Sequence, residues 1–599
     1  MYIKSIVKRN KGYKKTFTYY RLMESYRTER GPRQRTLLNL GKLENIPTDM
    51  HKALADRIED IVSGQTSLIA VSTDLDEVAQ HFASLLVRHS FEKEKIEEQQ
   101  QTPEYATIDI KSVKLSETRK IGAEYVGVSM FRKLGMDKIL RENGFTEKQI
   151  NLTALLIVGR LAYPSSEKGT REWAREISGI GELLGTQFKR LSNNILYRTL
   201  DLIYEHKQGI EDALRHNEKE IFELKEKIIL YDLTNTYFEG ESAGNEKAGF
   251  GRSKEKRTDC PLITLGLVID EDGFPKASRI FKGNVAEPKT LLEMIKALEY
   301  SENAKPTVII DAGIATKANL QLLTNKGYKY IAVARNKPLA KTELDGKFKT
   351  LSNGIEVKMI KKDDETILYC KSEAKKKKEQ QIKSFFQQRY EDGLNKIALA
   401  LKKKGGIKKY EKVLERLGRL TERNAGVAQF YEVEVKESRG QAVSIEWKMT
   451  KPDEAEQRYS GTYFLRTTRT DLSPEQIRAL YVMLTNIEDA FRTLKSELNL
   501  RPIWHQKTER VEAHTFVAVL AYHLLNSIQY MLRKQDIHTR WSRIREFLST
   551  HMVATTSFKT QDGRKIYIRH CSSPDPFPRI VYKALHLNFN PFASKTTKL

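Results

Sequence analysis

Two short stretches, IILYDLT at residues 228–234 and TVIID at residues 307–311, decide the fold of this chain. Each is an apolar run that reaches an aspartate, Asp232 in the first and Asp311 in the second. Between them, PLITLGLVID and KASRIFKG flank the turn sequence EDGFP and predict a hairpin of two strands. PKTLLEMIKALEYS and TKANLQLLTNKG predict helices, and YKYIAVARN predicts a last strand. This order of elements predicts a mixed sheet that lies between helices.

The chain is predicted to be a multidomain α/β protein, because 599 residues exceed the size at which one hydrophobic core stops growing. After residue 336 the sheet pattern is interrupted, and a helix that starts at Ser473-Pro474-Glu475 resumes it. The predicted regions are a small basic β-rich N-terminal domain (1–73), a helix and linker (74–105), a helical domain (106–226), the first part of the mixed-sheet core (227–336), an insertion domain of strands with a basic helical arm (337–471), the second part of the core (472–550) and a less regular C-terminal tail (551–599).

The charge of the chain favours a polyanionic partner. Lys and Arg total 103 against 78 Asp and Glu, a net charge of +25. Proteins with such a surplus gain affinity for phosphates, because each neutralised phosphate releases condensed counterions. Residues 1–50 carry twelve Lys and Arg and four acids. We expect a nucleic acid as the partner. The alternative is a solvated basic surface, as in ribosomal and membrane-surface proteins.

The cysteines and the apolar runs exclude several classes of protein. Cys260, Cys370 and Cys571 lie far apart and none belongs to a C-x-x-C pair, which excludes a zinc ribbon and argues against a disulfide scaffold. Any metal is therefore expected on carboxylates, which suit hard Mg²⁺ or Mn²⁺ ions. The chain has no uncharged apolar run of about 18 residues, and no apolar stretch follows its basic start. We expect a cytosolic protein without a membrane partner.

The two aspartates predict a metal site. Asp232 and Asp311 each follow apolar strand residues, so that two neighbouring parallel strands would bring both to one edge of the sheet. Phosphoryl transfer by two metal ions needs carboxylates that bridge ions roughly 3.5–4 Å apart. The alternative for a single aspartate at a strand end is a helix cap or a turn residue. Two such residues in a very basic chain favour the metal site.

A third carboxylate is expected from the segment YVMLTNIEDAFRTLKSELNL. If this segment is one helix, Tyr481, Glu488, Arg492 and Lys495 fall within about 60° of one another on one face. Glu488 can then bind metal, while Arg492 and Lys495 can hold phosphate. The competing acids, Asp489 and Glu497, lie about 100° and 180° away from Glu488. The alternative is a solvated stripe of ion pairs.

At these residues the chain resembles bacterial insertion-sequence transposases of the DDE type, in the group with a Tyr-x2-Arg-x3-Glu-x6-Lys signature. Tyr231-Asp232-Leu233-Thr234 is similar to the strand of the first aspartate, and VIIDAGIAT, which contains Asp311, to that of the second. Tyr481, Glu488 and Lys495 match the signature. Leu484 replaces its Arg, whose DNA contact we expect Arg492 to supply.

The resemblance extends over most of the chain. GRSKEKRTDCP, FKGNVAEPKTL, FRTLKSELNLRPIWH and the N-terminal YYRLMESYR and NLGKL are similar to segments of one subgroup of these enzymes. The resemblance implies an RNase-H-like catalytic domain whose mixed sheet is flanked by helices and interrupted by a β-containing insertion. It also implies a divalent metal and transposon-end DNA as the substrate.

Basic residues near the site are predicted to contact DNA. Within GRSKEKR these are Arg252, Lys254 and Arg257, for which the alternative is a solvated loop. On the signature segment the predicted DNA contacts are Tyr481, Arg492 and Lys495. Asn284 and His505 are expected to organise backbone or DNA near the site, or to be satisfied structurally, and His514 and His523 are expected to be core residues.

The resemblance implies a mechanism in which Asp232, Asp311 and Glu488 bind two Mg²⁺ or Mn²⁺ ions. The enzyme would hydrolyse double-stranded DNA at the terminal inverted repeats, and the freed 3′-hydroxyl would attack target DNA. A homodimer on DNA, in the bacterial cytoplasm and associated with the nucleoid, is expected by analogy. Two alternatives remain: an RNase-H-like nuclease that does not join strands, and a catalytically silent DNA-binding protein descended from a transposase.

Overall fold

The structure, a computed structural model, describes residues 1–9, 16–28, 31–43, 46–63, 75–76, 78–83, 105–251, 257–298, 300, 305–334, 347–351, 354–362, 364–450 and 460–598.

The N-terminal region is a three-stranded antiparallel sheet with a helix against it. β1 (Tyr2–Arg9) pairs with β2 (Thr16–Thr28), which pairs with β3 (Gly31–Gly41). The helix His51–Ser63 shares a small core with this sheet, formed by buried Leu22, Leu38, Leu40, Leu54 and Ile58. The predicted β-rich character of this region is confirmed. Residues 75–76 and 78–83 are helical, and the remainder of the helix predicted after residue 73 lies outside the described residues.

Residues 122–222 form the predicted helical region, and a strand that the sequence analysis did not predict precedes it. That strand is β4 (Ile108–Lys120). Polar caps start several of the helices: Thr146 forms a capping box with Gln149, and Ser192 accepts a hydrogen bond from Ile195 N–H. The helices are Gly122–Lys133, Met136–Glu142, Glu147–Ala162, Glu167–Glu176, Ile180–Leu183, Asn193–Glu205 and Lys207–Phe222.

The centre of the molecule is a mixed sheet built from five strands in the predicted order. These are β5 (Ile228–Tyr237), β6 (Leu262–Asp270), β7 (Pro275–Lys282), β8 (Thr307–Ile310) and β9 (Lys329–Val333). Their spatial order is β9-β8-β5-β6-β7, with β5, β8 and β9 parallel and β6 antiparallel to both of its neighbours. This arrangement confirms the RNase-H-like sheet. The predicted β6–β7 hairpin is also confirmed, and its Gly273 has a positive φ of 88°.

Helices lie on both faces of this sheet. The helices Leu291–Lys296 and Lys317–Asn325 share one apolar core with the sheet. The helix Leu484–Ser496, called the signature helix below, and the helix Thr508–Arg533, called the core helix, share the core on the other face. Gly327, with a φ of 74°, follows the end of Lys317–Asn325 as the sequence predicts for a C-terminal cap. The sheet is therefore buried on both sides, as its near-continuous apolar strands require.

The predicted insertion is divided between the central sheet and a separate unit. β10 (Lys349–Thr350), β11 (Glu356–Lys362), β12 (Glu365–Lys371) and β15 (Thr462–Thr467) extend the central sheet to nine strands, because β15 pairs with both β9 and β12. These strands lie within the predicted insertion domain (337–471), but they belong to the central sheet. Residues 373–449, which leave the sheet after β12 and return before β15, form the separate unit.

This separate unit, called the insertion domain below, has its own core. It consists of the helices Glu373–Lys402, Tyr410–Arg423 and Ala425–Ala428 and a hairpin of β13 (Tyr431–Ser438) and β14 (Gln441–Met449). The side chains buried between the helices and the hairpin are Tyr390, Leu394, Ile397, Leu401, Val413, Val427, Ala428, Ala442 and Ile445. This unit contains both predicted parts, strands and a basic helical arm.

The C-terminal segment is more regular than the sequence indicates. β16 (Met552–Thr560) pairs with β17 (Lys565–Cys571) and with β4, and β17 pairs with β18 (Lys595–Lys598). The helix Trp541–Leu548 precedes this four-stranded sheet, and the helix Pro576–Ala584 lies between β17 and β18. β4 and β16 are more than 430 residues apart in sequence, so local pattern gave no sign of their pairing.

A buried ionic cluster supports the hairpin next to β5. The Lys276 side chain is fully buried, with its Nζ 2.9 Å from Asp270 Oδ2 and 2.8 Å from Glu226 Oε1. Asp270 Oδ1 accepts hydrogen bonds from the N–H groups of Asp272 and Phe274 in the hairpin turn. Burial raises the pKa of Asp270 to about 6, against the attraction of Lys276. Lys276 thus compensates carboxylates that would otherwise be buried without a counter-charge.

The core helix is long and apolar enough to cross a membrane by length and composition, but 83% of its most apolar window is buried inside the protein. Its His514 and His523, predicted to be core residues, are 3% and 0% exposed. The core helix therefore has the burial of an interior helix in a folded domain.

Candidate active site at the ends of the central strands

Backbone register brings the two predicted aspartates together. Residues 228–231 of β5 pair in parallel with residues 307–310 of β8, so that Tyr231 lies opposite Ile310. Asp232 and Asp311 are the next residues on these two strands. Neighbouring strands lie about 4.8 Å apart, which makes the two backbones immediate neighbours. Asp311 stands at the end of its strand, whereas β5 continues to Tyr237 beyond Asp232.

Both aspartates belong to the face of the sheet that the signature helix covers. Side chains alternate along a strand, so Asp232 shares the face of Leu230, and Asp311 continues the face of Ile309. Leu230 and Ile309 belong to the core that contains the signature helix, whereas Tyr231 and Ile310 belong to the opposite core. Asp232 is half-buried and Asp311 is exposed. The Asp311 carboxylate accepts a hydrogen bond of 2.6 Å from the Ala312 N–H.

Glu488 lies beside the buried stripe of the signature helix. Ile487, Ala490, Phe491 and Leu494 are buried, while Glu488 is exposed. Tyr481 links this glutamate to the strand ends. Its pKa is raised first by burial and then by the negative charges of Asp311 and Glu488. Asp311 and Glu488 are therefore each within electrostatic reach of Tyr481, and the register makes Asp232 the neighbour of Asp311.

Tyr481 does not belong to the same helix as Glu488. The first helix, Pro474–Val482, ends at Val482, Met483 is a turn residue, and the signature helix begins at Leu484. The prediction of one continuous helix is wrong at this break, so the angle derived between Tyr481 and Glu488 does not hold. Tyr481 instead packs against Tyr463 of β15, with ring centroids 5.8 Å apart. Leu484, which replaces the Arg of the signature, packs against the core.

Arg492 and Lys495 follow Glu488 on the signature helix. Arg492 Nη2 is 2.7 Å from Asp489 Oδ1, and both side chains are exposed. Asp489 and Arg492 line a cavity of about 430 Å³ together with Glu271, Asn486 and Arg533, whereas Glu488 does not contribute to its lining. Lys495 is half-buried. The predicted phosphate contacts of Arg492 and Lys495 stay predictions.

Of the three DNA contacts predicted in GRSKEKR, Arg252 and Lys254 lie outside the described residues. Arg257 lies over the ring of Tyr237 at the end of β5, 4.7 Å from its centroid. Its guanidinium also makes two hydrogen bonds of 2.7 Å to Asp259. The start of the GRSKEKR segment packs against the FKGN segment, because a Cβ on Gly251 would lie 2.6 Å from the Gly283 carbonyl oxygen.

Glu287, which was not predicted as a site residue, has its carboxylate against Gly313 in the loop after Asp311. A Cβ on Gly313 would overlap this carboxylate. The Glu287 carbonyl accepts a hydrogen bond from the Thr290 hydroxyl at 2.7 Å, and that hydroxyl lies 2.5 Å from the Tyr231 hydroxyl. Through these contacts Glu287 connects β5, at Tyr231, with the loop after β8, at Gly313. The sequence shows Glu287 as an acidic residue in FKGNVAEPKTL, at a position that follows neither a strand nor a helix periodicity.

A second group of titratable residues is structural rather than a metal site. Glu167, His505 and His514 form the one cluster of three such ligand groups found among the described residues. Arg160 already supplies the cation: its guanidinium nitrogen Nη2 is 3.1 Å from Glu167 Oε1 and 2.7 Å from His514 Nδ1. Burial acts to raise the pKa of Glu167, but hydrogen bonds from His505 and His514 and the charge of Arg160 hold it well below its usual range.

This network ties the segment after the signature helix to the helical region. Arg160 Nη1 donates a hydrogen bond of 3.0 Å to the Asn499 carbonyl, and His505 Nε2 lies 3.1 Å from Glu167 Oε2. His505 was expected either to organise backbone or DNA near the site or to be satisfied structurally, and its contact with the buried Glu167 carboxylate agrees with the second expectation. Asn284 is exposed, close to Gly249.

The carboxylates of Asp232, Asp311 and Glu488 offer hard oxygen ligands, which Mg²⁺ and Mn²⁺ prefer. Two of them are exposed, so a ligand from solvent can reach the group. Such an arrangement can hold divalent ions against a phosphate ester.

Comparison with known proteins matches two parts of this chain to protein families. Residues 223–524, just over half of the chain, match the family described as Transposase DDE domain, and this interval includes all three carboxylates. Residues 3–67 match the family described as IS1634 family transposase, N-terminal domain. No curated protein matches the chain.

Among solved structures, the piggyBac transposase synaptic complex with hairpin DNA is similar over 68% of this chain and 70% of that chain, at 8% identity and a TM-score of 0.33. This likeness is too distant to bear on the fold. The family matches are sufficient: the chain belongs to the DDE transposases of insertion sequences.

Proposed function

We propose that this transposase cuts DNA at the ends of an insertion sequence and joins the freed 3′-hydroxyl groups to target DNA, with Asp232, Asp311 and Glu488 as its catalytic residues. The observation that carries the proposal is the parallel register of β5 and β8, which makes the two aspartates neighbours. The placing of Glu488 in this site is supported by Tyr481, whose pKa is raised by burial and then by the charges of Asp311 and Glu488.

The three carboxylates would hold two Mg²⁺ or Mn²⁺ ions. When bound, such ions activate the attacking oxygen and stabilise the leaving oxygen of an in-line displacement. The chain's own contribution is to fix the ligands. Asp232 lies inside a strand that is paired on both sides, and Glu488 lies on a helix whose other side is buried. Ligands on rigid elements keep a productive geometry without reorganisation.

Tyr481 is proposed to position a DNA phosphate. Because its pKa is raised, the phenol keeps its proton at neutral pH and can donate a hydrogen bond to a phosphate oxygen. Arg492 and Lys495, one and two turns after Glu488, are proposed to contact the DNA backbone. Arg257 is proposed to do so beside Tyr237, together with Arg252 and Lys254.

The wider organisation is proposed from the family and the charge. The DNA partners are the terminal inverted repeats and the target, and two copies of the chain assemble on paired ends in the bacterial cytoplasm. The helical region at residues 106–226 and the basic N-terminal sheet at residues 1–73 are proposed to bind the ends. A net charge of +25 supports this role.

The proposal is tested by a joining assay. Labelled duplexes that end in the inverted repeat bordering the gene are mixed with the full chain, a supercoiled plasmid and Mg²⁺ or Mn²⁺. We expect the label to become covalently attached to the plasmid. A matched donor with a 3′-dideoxy terminus should bind equally and yield no joined product, because the attacking hydroxyl is missing.

Cleavage of an uncut end without any joining would contradict strand transfer and favour the nuclease. Binding without cleavage or joining would favour the catalytically silent DNA-binding protein.

A further inference from the structure

We propose that the insertion domain binds the DNA backbone in a groove between its two long helices, Glu373–Lys402 and Tyr410–Arg423. This proposal rests on the proposed function, because that function supplies DNA as the partner. The groove would be a binding site separate from the catalytic carboxylates. It is called the arginine groove below.

The arginine groove has a volume of about 760 Å³ and a strongly basic lining. The lining contains five cationic side chains and a single acid, Asp392. The cations are Arg389, Lys396, Arg416, Arg419 and Arg423. Arg419 pairs with Glu415 on its own helix. No ion pair of the other four cations is found among the described residues.

Such a lining is unfavourable unless an anion binds there. Like charges around one groove repel one another, and a folded surface ordinarily intersperses both signs. Here the lining holds five cations and one acid, Asp392, and Glu415 pairs with Arg419 alone. A bound polyanion would remove the repulsion and release its own counterions. The unbalanced lining is therefore better explained by a binding role than by stability.

The spacing of the arginines suits successive phosphates. Arg416, Arg419 and Arg423 recur at three and four residues, so they lie along one face of their helix. At 1.5 Å per residue, they span about 10 Å, which corresponds to about three phosphates along one DNA strand. The planar guanidinium group binds phosphate oxygens through two parallel hydrogen bonds. Arg389 and Lys396 approach from the facing helix.

Packing holds the two helices at a fixed distance. Gly393 faces Leu420 across the groove floor, and a Cβ on Gly393 would lie 2.5 Å from Leu420 Cδ1. Tyr390, Leu394 and Val413 are buried in the core beneath. The groove is therefore preformed rather than dependent on rearrangement, and its cations are displayed on a rigid support.

The groove is also anchored to the sheet that carries the aspartates. The helix Glu373–Lys402 leaves β12 directly, and Lys375 Nζ donates a hydrogen bond of 2.7 Å to the Thr462 carbonyl of β15. The Gly461 N–H donates one of 2.7 Å to Glu379 Oε2. Arg389 lies 16 residues along this helix, about 24 Å from its start. Lys371 pairs with Thr462 beyond the C-terminal end of β9, so this helix leaves the sheet at the edge where Asp311 lies.

The test is a binding measurement with the full chain. The variant Arg416→Gln/Arg419→Gln/Arg423→Gln is compared with Lys436→Gln/Arg439→Gln/Lys448→Gln, which removes the same charge from the β13–β14 hairpin outside the groove lining. Affinity for a labelled duplex carrying the inverted repeat is measured by fluorescence anisotropy across a series of KCl concentrations, and folding is checked by circular dichroism.

We expect the groove variant to bind about tenfold or more weakly at 100 mM KCl, with a salt-dependence slope smaller by about 2 to 3, since each lost phosphate contact removes close to 0.9 from the slope. The hairpin variant should remain within about twofold of the unmodified chain. A second variant, Arg389→Gln/Lys396→Gln, should weaken binding in the same direction from the facing helix.

The proposal is overturned if the groove and hairpin variants bind equally well and with equal salt slopes. If the unmodified chain itself fails to bind the duplex, the proposed function falls together with the groove. Binding requires no cleavage, so a catalytic defect cannot produce either result.

Discussion

Replacing Asp232 or Asp311 by asparagine is expected to reduce DNA cleavage at least about 1000-fold, because the loss of a metal-binding carboxylate removes several kcal/mol of transition-state stabilisation. Asparagine keeps the shape of the side chain and removes its negative charge. The strand pairing on either side of these positions involves the backbone, so the fold should persist. Cleavage of a labelled transposon end in Mg²⁺ measures the effect.

The signature helix offers a matched control for the same experiment. Glu488→Gln should abolish cleavage like the aspartate variants, whereas Asp489→Asn should retain most of it. The two acids are neighbours in sequence and both are exposed, but Asp489 pairs with Arg492 beside a separate cavity. Duplex affinity should stay within about twofold of the unmodified chain in all four variants. An Asp232→Asn enzyme that still cut at a normal rate would remove Asp232 from the mechanism.

Replacing Lys276 by methionine is expected to lower the free energy of unfolding by about 3–5 kcal/mol at pH 8, the usual cost of leaving buried carboxylates without their cation. Lys276 is fully buried between Asp270 and Glu226. Methionine fills a similar volume, so the loss of charge dominates. Urea denaturation followed by circular dichroism measures the change. Lys282→Met, at the exposed end of the same strand, should change stability by less than about 0.5 kcal/mol.

The loss in free energy of unfolding caused by Lys276→Met should be smaller at pH 5 than at pH 8. The pKa of Asp270 is raised to about 6 in the folded chain, so its contribution to stability is present at low pH and is lost as the pH rises through 6. Without Lys276 the pKa of Asp270 should rise further. The contribution of Asp270 to stability should then be lost at a higher pH. Adding Asp270→Asn should restore part of the stability, since the amide oxygen can still accept the turn hydrogen bonds. A deficit that does not vary with pH would contradict this account.

The central sheet could be predicted from sequence because its signals are local. The apolar runs before Asp232 and Asp311, the EDGFP turn and the intervening helix can each be recognised from residues that are close together in sequence. Right-handed connections between parallel strands then leave few arrangements for such an order. The buried histidines of the core helix followed from the apolar residues on all of its faces.

The remaining features depend on contacts between distant segments. β15 joins β9 more than 120 residues away, and β4 joins β16 across most of the chain, so neither pairing leaves a local pattern. The break at Met483 interrupts a segment whose helical period looks continuous. Glu287 lies in an irregular segment, and its importance is visible only where Gly313 packs against its carboxylate.

Asp232, Asp311 and Glu488 are proposed to bind the same divalent cations. Crystals of the chain bound to a transposon-end duplex, grown with Mn²⁺, would locate the ions by anomalous scattering. We predict peaks at about 2 to 2.3 Å from carboxylate oxygens of all three residues. Ions bound at another set of side chains, or at one of these carboxylates without the other two, would contradict the claim.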